Sequence, residues 1–177
     1  MVKEFEIERK DHVMRSRKTQ LACFALLLLF VGATYSQTGS VLTRLAGSWR
    51  GEGKFMGMPA NLSMNWDWVL GETFLRLTLR NEMKNPAGEA QSFEGHAYYQ
   101  PGKEKCEGTW FDSQGMSLLI KCTVDSHSVT AIWGTAGQER GKSVYTVMSD
   151  GKLEVVDSLK QQDGSWKEFG RFVMSRQ

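Results

Sequence analysis

The stretch Asn61 to Val69, NLSMNWDWV, decides the fold class because its side chains alternate strictly between apolar and polar. One face carries Leu62, Met64, Trp66 and Trp68, and the other face is polar. Successive side chains of a β-strand point to opposite faces. The period of two therefore indicates a strand with one buried face.

Short runs of the same kind extend in both directions from this strand, between Trp49 and Met174, and tight-turn sequences separate them. They predict ten strands, at 47–55, 61–69, 73–81, 92–99, 104–111, 116–124, 129–133, 142–148, 152–160 and 166–174. A brief helical or irregular segment, 40–46, precedes the first strand, and 134–141 is predicted as the longest later loop. Many short strands without long helices favour an all-β fold, a single antiparallel sheet closed into a barrel. A small barrel can hold a ligand, so binding is the first hypothesis for function.

Residues 1–36 are predicted to be a signal peptide outside the barrel, which leaves 37–177 as one domain. The apolar run Leu21 to Gly32 follows basic residues and precedes small or polar ones. It is shorter than the roughly 20 residues of a spanning helix, so an uncleaved membrane anchor is the weaker alternative. Residues 1–13 are a polar overhang that a signal peptide does not need, which indicates a translation start at Met14. The mature chain is expected to be periplasmic or extracellular, without a membrane span.

The charge balance of residues 37–177 restricts the partners of the mature chain. It carries 16 basic and 16 acidic residues, so the apparent basicity of the sequence belongs to the leader. A nucleic-acid binder would show an uncompensated basic stripe. Nucleic acids and anionic membranes are therefore not expected as partners.

Cys106 and Cys122 are the two cysteines of the mature chain, and export would favour a disulfide between them. They flank the turn 112–115, and a hairpin with Asp112 opposite Met116 would set the two cysteines directly across from each other. The alternative is a pair of small buried thiols.

Several motifs resemble known families. The segment 45–53, LAGSWRGEG, resembles the opening strand of calycin barrels, which carries a glycine-x-tryptophan motif. Four further motifs are at 70–75 (LGETFL), 99–102 (YQPG), 108–115 (GTWFDSQG) and 163–171. Together they resemble an uncharacterised bacterial family, the domain of unknown function numbered fifteen-seventy-nine. This resemblance covers about residues 40–176. The resemblance implies a lipocalin-like or fatty-acid-binding-protein-like barrel and assigns no activity.

Haem binding is the weakest of the alternatives, and metal binding is not expected. The nitrobindins, a related family with a similar GxWxGxG opening, bind haem through a histidine near the C-terminus, and 165–177 contains no histidine. A zinc site needs three or four converging ligands. Two cysteines that are predicted to pair, with the distant His96 and His127, do not supply them. No cofactor and no metal site is predicted.

Tryptophans and arginines are the first candidates for ligand contacts. A tryptophan offers a large apolar surface and one hydrogen-bond donor. The candidates are Trp66, Trp68, Trp110 and Trp133, and the alternative for each is core filling. Arg76 and Arg171 are candidate anchors for an anionic group. The calycin resemblance implies that a last-strand arginine stacks on Trp49, a role assigned to Arg176 in preference to Arg171.

Glu94, His96 and Tyr98 share one face of the fourth predicted strand. Such a group could hydrogen-bond a polar ligand head or perform acid-base chemistry. The alternative is a polar stripe on the outside of the barrel. No Gly-x-Ser-x-Gly nucleophile motif occurs, so no catalytic residue is assigned.

These observations predict an exported barrel that binds a small hydrophobic or amphipathic molecule in its cavity. Two other classes stay open. One is a barrel enzyme of the isomerase or hydrolase type that uses the His96 face. The other is a structural or interaction protein whose barrel is filled by its own side chains.

Overall fold

The computed structural model describes residues 40–102 and 104–177, and the predicted signal peptide lies outside these residues. Within them the chain forms a short helix and ten β-strands. The helix is α1 (Val41–Leu45). The strands are β1 (Gly47–Phe55), β2 (Met58–Val69), β3 (Phe74–Lys84), β4 (Ala90–Pro101), β5 (Lys105–Asp112), β6 (Ser117–Val124), β7 (Ser128–Thr135), β8 (Gln138–Val147), β9 (Leu153–Lys160) and β10 (Trp166–Arg176).

The ten strands form one closed antiparallel barrel, which confirms the predicted fold class. Each strand pairs with its neighbours in sequence, and β1 closes the sheet by pairing with β10 from Trp49 opposite Arg176 to Phe55 opposite Gly170. Closure pairs both edges of the sheet, so no strand edge among the described residues is left open.

Two glycines of β1 allow the closing strands to approach each other. Gly51 and Gly53 lie on the inward face with Trp49 and Phe55. A Cβ on Gly51 would lie only 2.7 Å from the Cα of Met174, so the backbone of β10 occupies the space that a side chain would need.

The helix α1 covers one end of the barrel. Ser40 caps its N-terminus, and Leu45 is fully buried. The indole N–H of Trp49 donates to the carbonyl of Leu45 over 2.7 Å. Arg176 stacks on the Trp49 ring at 4.3 Å and donates to the carbonyls of Arg44 and Ala46, so the role assigned to Arg176 is confirmed.

The main difference from the sequence prediction lies between β7 and β8. Residues 134–141, predicted as the longest later loop, instead continue both strands around a tight turn, and Thr135 pairs with Gln138. Gly137 supplies a φ of 76°, and an irregularity in register at Trp133 and Gly134 lets the hairpin bend. Polar residues at the end of a strand look like a loop in sequence, although their backbones still pair.

The β5–β6 hairpin has the predicted register. Asp112 N–H donates to the carbonyl of Met116, and Cys106 lies directly opposite Cys122. Both cysteines are buried, their Cα atoms are 4.9 Å apart, and the structure joins their sulfurs in a disulfide.

Of the residues that the structure describes, none belongs to a helix with the length and apolar character that a membrane crossing requires.

Candidate ligand-binding cavity

The two ends of the barrel differ because successive turns of an antiparallel sheet alternate between its ends. The β6–β7 turn lies beside α1, where Arg44 hydrogen-bonds to the carbonyl of Ser126. The β1–β2 and β5–β6 turns lie at the opposite end, and there Met56, Gln114 and Met116 surround a cavity of about 380 Å³. We call this end the rim. The core fills the barrel at the α1 end, and the cavity occupies the rim end.

The cavity wall is mostly apolar. Its aliphatic part comes from alternate positions of four strands, because those positions point inward. The aliphatic side chains are Leu62, Leu79, Leu118, Ile120, Val155 and Leu159. The aromatic part consists of Phe55, Phe93, Tyr99, Trp110, Trp133, Tyr145, Phe169 and Phe172. Such a wall suits a ligand with a large apolar surface.

Two tryptophans lie flat against the wall over glycines of the neighbouring strands. A Cβ on Gly95 would overlap the ring of Trp110, and one on Gly141 would overlap the ring of Trp133. Each indole N–H is also held: Trp110 donates to Asp112 over 3.0 Å, and Trp133 donates to Ser143 Oγ over 3.2 Å. For each tryptophan, the space over the glycine and the hydrogen bond of the indole N–H together hold the ring against the wall, out of the centre of the cavity.

Asp157 is the carboxylate of the inner wall. It occupies an inward position of β9 and accepts a hydrogen bond from Ser143 Oγ over 2.6 Å. Its remaining exposed surface faces the cavity. Burial in this apolar wall raises the pKa of Asp157 from 3.8 to about 6, and the Ser143 hydrogen bond opposes the rise.

Two phenols line the deeper part of the cavity. Tyr99 and Tyr145 both pack on Trp66, with ring centroids 5.3 Å and 5.1 Å from it. Burial raises the pKa of both phenols above the ordinary range, so both stay protonated at neutral pH.

The structure divides the predicted tryptophans into two groups. Trp110 and Trp133 line the cavity. Trp66 is fully buried, and Trp68 packs against the core, so both follow the alternative of core filling.

The predicted polar contacts lie outside the cavity. Glu94, His96 and Tyr98 alternate with the inward residues Gly95, Ala97 and Tyr99, so they form the polar stripe of the alternative interpretation. Glu94 pairs there with Arg80. The three residues therefore lie on the outer face of β4, away from the rim-end cavity.

The two predicted arginine anchors also point outward. Arg76 lies between the inward residues Leu75 and Leu77, and it pairs with Asp67 over 2.7 Å. Arg171 pairs with Glu168 over 2.7 Å and also with Glu154. Both guanidinium groups pair with carboxylates on the outer surface and do not line the rim-end cavity.

The polar residues of the cavity were not identified from the sequence, and Asn81, Ser143 and Asp157 are those that lie deepest in the strands. The sequence contained one usable signal, the alternation of inward and outward positions along each strand. Asp157 is two residues from Val155 and four from Leu153, and both are buried, so it shares their inward face. The expectation that inward positions are apolar concealed it.

A haem does not fit the residues present. No histidine among the described residues lines the cavity, because His96 is on the outer face and His127 lies at the α1 end. The described residues also contain no cluster of three or more histidine, cysteine or acidic side chains that could hold a metal ion.

A second depression, of about 730 Å³, lies on the surface of β1 to β4. Its charged side chains include Arg80 and Glu82, which pair with each other over 2.9 Å. The lining of this depression is largely polar and exposed, whereas that of the inner cavity is apolar and aromatic, so the inner cavity is the stronger candidate for a binding site.

A closed ten-stranded barrel with a helix over one end and an open aromatic cavity at the other is a calycin-like barrel. Residues 36–176 match the family described as "Protein of unknown function (DUF1579)", and the chain belongs to that family. No curated protein matches the chain.

The structural comparison agrees with this fold. The crystal structure of Rv2717c from M. tuberculosis superimposes with a TM-score of 0.55 at 17% sequence identity. The match covers 77% of this chain and 94% of that chain. At this identity the likeness shows the fold alone.

Proposed function

We propose that the protein binds a small amphipathic molecule in the rim-end cavity. The observation that carries this proposal is the cavity itself, about 380 Å³ of space lined by aromatic and aliphatic side chains with a few polar groups. Small-molecule sites have volumes of roughly 300–1,000 Å³ and the same kind of lining. Burying apolar ligand surface contributes about 25 cal/mol per Å² and is opposed by the cost of immobilising the ligand.

The rim supports the same proposal. Met56 and Met116 are exposed apolar side chains at the opening of the cavity. Met56 has a left-handed φ of 51°, a strained backbone for a residue with a side chain, and its N–H donates to the carbonyl of Phe169 over 2.7 Å. Flexible thioether side chains at an opening can adapt to ligands of different shape.

Filling part of the cavity is expected to weaken binding. Leu118 faces the cavity, whereas its neighbour Leu119 is 52% exposed on the outer face. Leu118→Trp should weaken binding of the neutral fluorescent probe N-phenyl-1-naphthylamine by at least about tenfold, which is about 1.4 kcal/mol. Leu119→Trp adds the same indole outside the barrel and should leave the affinity unchanged.

Circular dichroism and thermal unfolding verify that both variants keep the fold. The proposal fails if wild-type protein does not take up the probe, or if folded Leu118→Trp binds it as tightly as Leu119→Trp does.

We also propose that the barrel acts after export, with residues 1–36 removed and Cys106 bonded to Cys122. The apolar run 21–32 and the position of the two cysteines on facing strands support this. Intact-mass measurement on protein from its own cells should give a chain that begins near residue 37 and gains two hydrogens on reduction. A mass that includes the leader would contradict export, and an unchanged mass on reduction would contradict the bridge.

A further inference from the structure

Asn81 and Asp157 are the two buried-wall side chains whose polar atoms are not fully matched, whereas the indole N–H groups and the Ser143 hydroxyl beside them are occupied. The indoles of Trp110 and Trp133 donate to Asp112 and Ser143. The Ser143 hydroxyl donates onward to Oδ1 of Asp157. These N–H and O–H groups therefore bond to other residues of the wall and are not free for a ligand.

The acceptors Asn81 and Asp157 lack such partners. Asn81 is only 2% exposed, it lines the cavity, and its Oδ1 is buried without a hydrogen-bond partner. Asp157 accepts from Ser143 and pairs with no cation among residues 40–102 and 104–177. An unpaired buried acceptor is costly, and an unpaired buried carboxylate more so. A ligand with a cationic group beside Asp157 and a polar group beside the Asn81 amide would satisfy both side chains.

The two acceptors lie on nearly opposite walls. Asn81 is on β3 and Asp157 on β9, with three strands between them in one direction around the barrel and five in the other. Aromatic side chains, Tyr99 and Trp110 among them, line the wall between. A ligand that reaches both acceptors must cross the cavity along these rings.

We propose that the ligand is a small apolar or aromatic amine with a hydroxyl at its other end, an inference that rests on the function proposed above. Its ammonium group pairs with Asp157, and the hydroxyl bonds to the side-chain amide of Asn81. A charge-assisted hydrogen bond to a buried carboxylate is stronger than a neutral one. The aromatic faces add attraction for a cation.

Asp157 is in the required state at neutral pH. With a pKa of about 6 it is mostly ionised at pH 7.5. The groups that face it are Ser143 and Tyr145 from β8, the uncharged Gly170 from β10, and Tyr99 across the cavity. The other charged groups that line the cavity are Asp112 and the exposed Arg140.

Four probes of similar shape test this proposal by isothermal titration calorimetry at pH 7.5. Tyramine has an ammonium group and a phenol, phenethylamine lacks the phenol, tyrosol has a neutral alcohol in place of the amine, and 3-(4-hydroxyphenyl)propanoate is an anion. Tyramine should bind at least tenfold more tightly than tyrosol and severalfold more tightly than phenethylamine. The propanoate should bind most weakly.

Two variants assign the two contacts separately. Asp157→Asn should remove the preference for tyramine over tyrosol, and Asn81→Leu should remove the preference for tyramine over phenethylamine. Both variants should still bind N-phenyl-1-naphthylamine, which shows that the cavity is intact. If wild-type protein binds that neutral probe but prefers tyrosol or the propanoate to tyramine, the amine proposal is overturned and the cavity function stands. If it binds none of the probes, both fail.

Discussion

Replacing Gly51 or Gly53 by alanine is expected to lower the free energy of unfolding by about 3 kcal/mol or more, the upper range of core overpacking. A Cβ on Gly51 would lie 2.7 Å from Met174 Cα and 2.9 Å from the carbonyl carbon of Val173. A Cβ on Gly53 would lie 2.9 Å from Phe172 Cα. These obstacles are backbone atoms of β10, so no rotamer change relieves them. Urea unfolding measures the loss.

A suitable control is Gly88→Ala. Gly88 has a φ of 85°, and a Cβ there meets no atom within 4 Å, so alanine would cause backbone strain without overlap. That strain costs roughly 1–2 kcal/mol.

Amide hydrogen exchange should also accelerate in β1 and β10 of the Gly51 and Gly53 variants, because these two strands close the barrel. Stability within about 1 kcal/mol of wild type for Gly51→Ala would contradict the close approach.

Removing the charge of Asp157 is expected to stabilise the ligand-free protein above pH 6. Burial raises the pKa of Asp157 from 3.8 to about 6, so the folded state holds the proton more tightly than the unfolded state. The favourable effect of this group on stability is complete below pH 3.8 and is lost as the pH rises to about 6. A difference of this size corresponds to about 3 kcal/mol. Asp157→Asn cannot ionise, so it should be more stable by up to about 3 kcal/mol at pH 7.5.

Urea unfolding between pH 4 and pH 8 tests this expectation, and Glu154→Gln is the matched control on the same strand. Glu154 points outward and pairs with Arg171 on the surface, where an ion pair contributes about 1 kcal/mol or less. The difference between Asp157→Asn and wild type should grow from pH 4 to pH 6 and then stay constant. A pH-independent difference would show that Asp157 is not the buried acid described above.

The fold was predictable from local sequence because strand alternation and turn residues are local signals. In β2 the inward face of Leu62, Met64 and Trp66 followed directly from the period of two. The register of the β5–β6 hairpin followed from its turn. The β7–β8 hairpin was missed because the polar residues 138–140 mark a strand end that is exposed but still paired.

The candidate site was less predictable because another strand determines which of the two alternating sets of β4 residues points into the barrel. Aromatic residues occupy both phases of SFEGHAYY, and the inward positions include the small residues Gly95 and Ala97. Their small size makes sense only beside Trp110 of β5, whose ring fills the space over Gly95. Without that partner the polar residues Glu94 and His96 looked like site residues.

The alternation of turns separates two tasks along the barrel axis. The contacts of α1, Trp49 and Arg176 that hold the barrel together lie at the α1 end, whereas Met56, Gln114 and Met116 surround the rim. Mutational libraries confined to the rim should therefore change ligand preference with little loss in the yield of folded protein. The same diversity introduced around α1 should reduce the amount of folded protein before it alters selectivity.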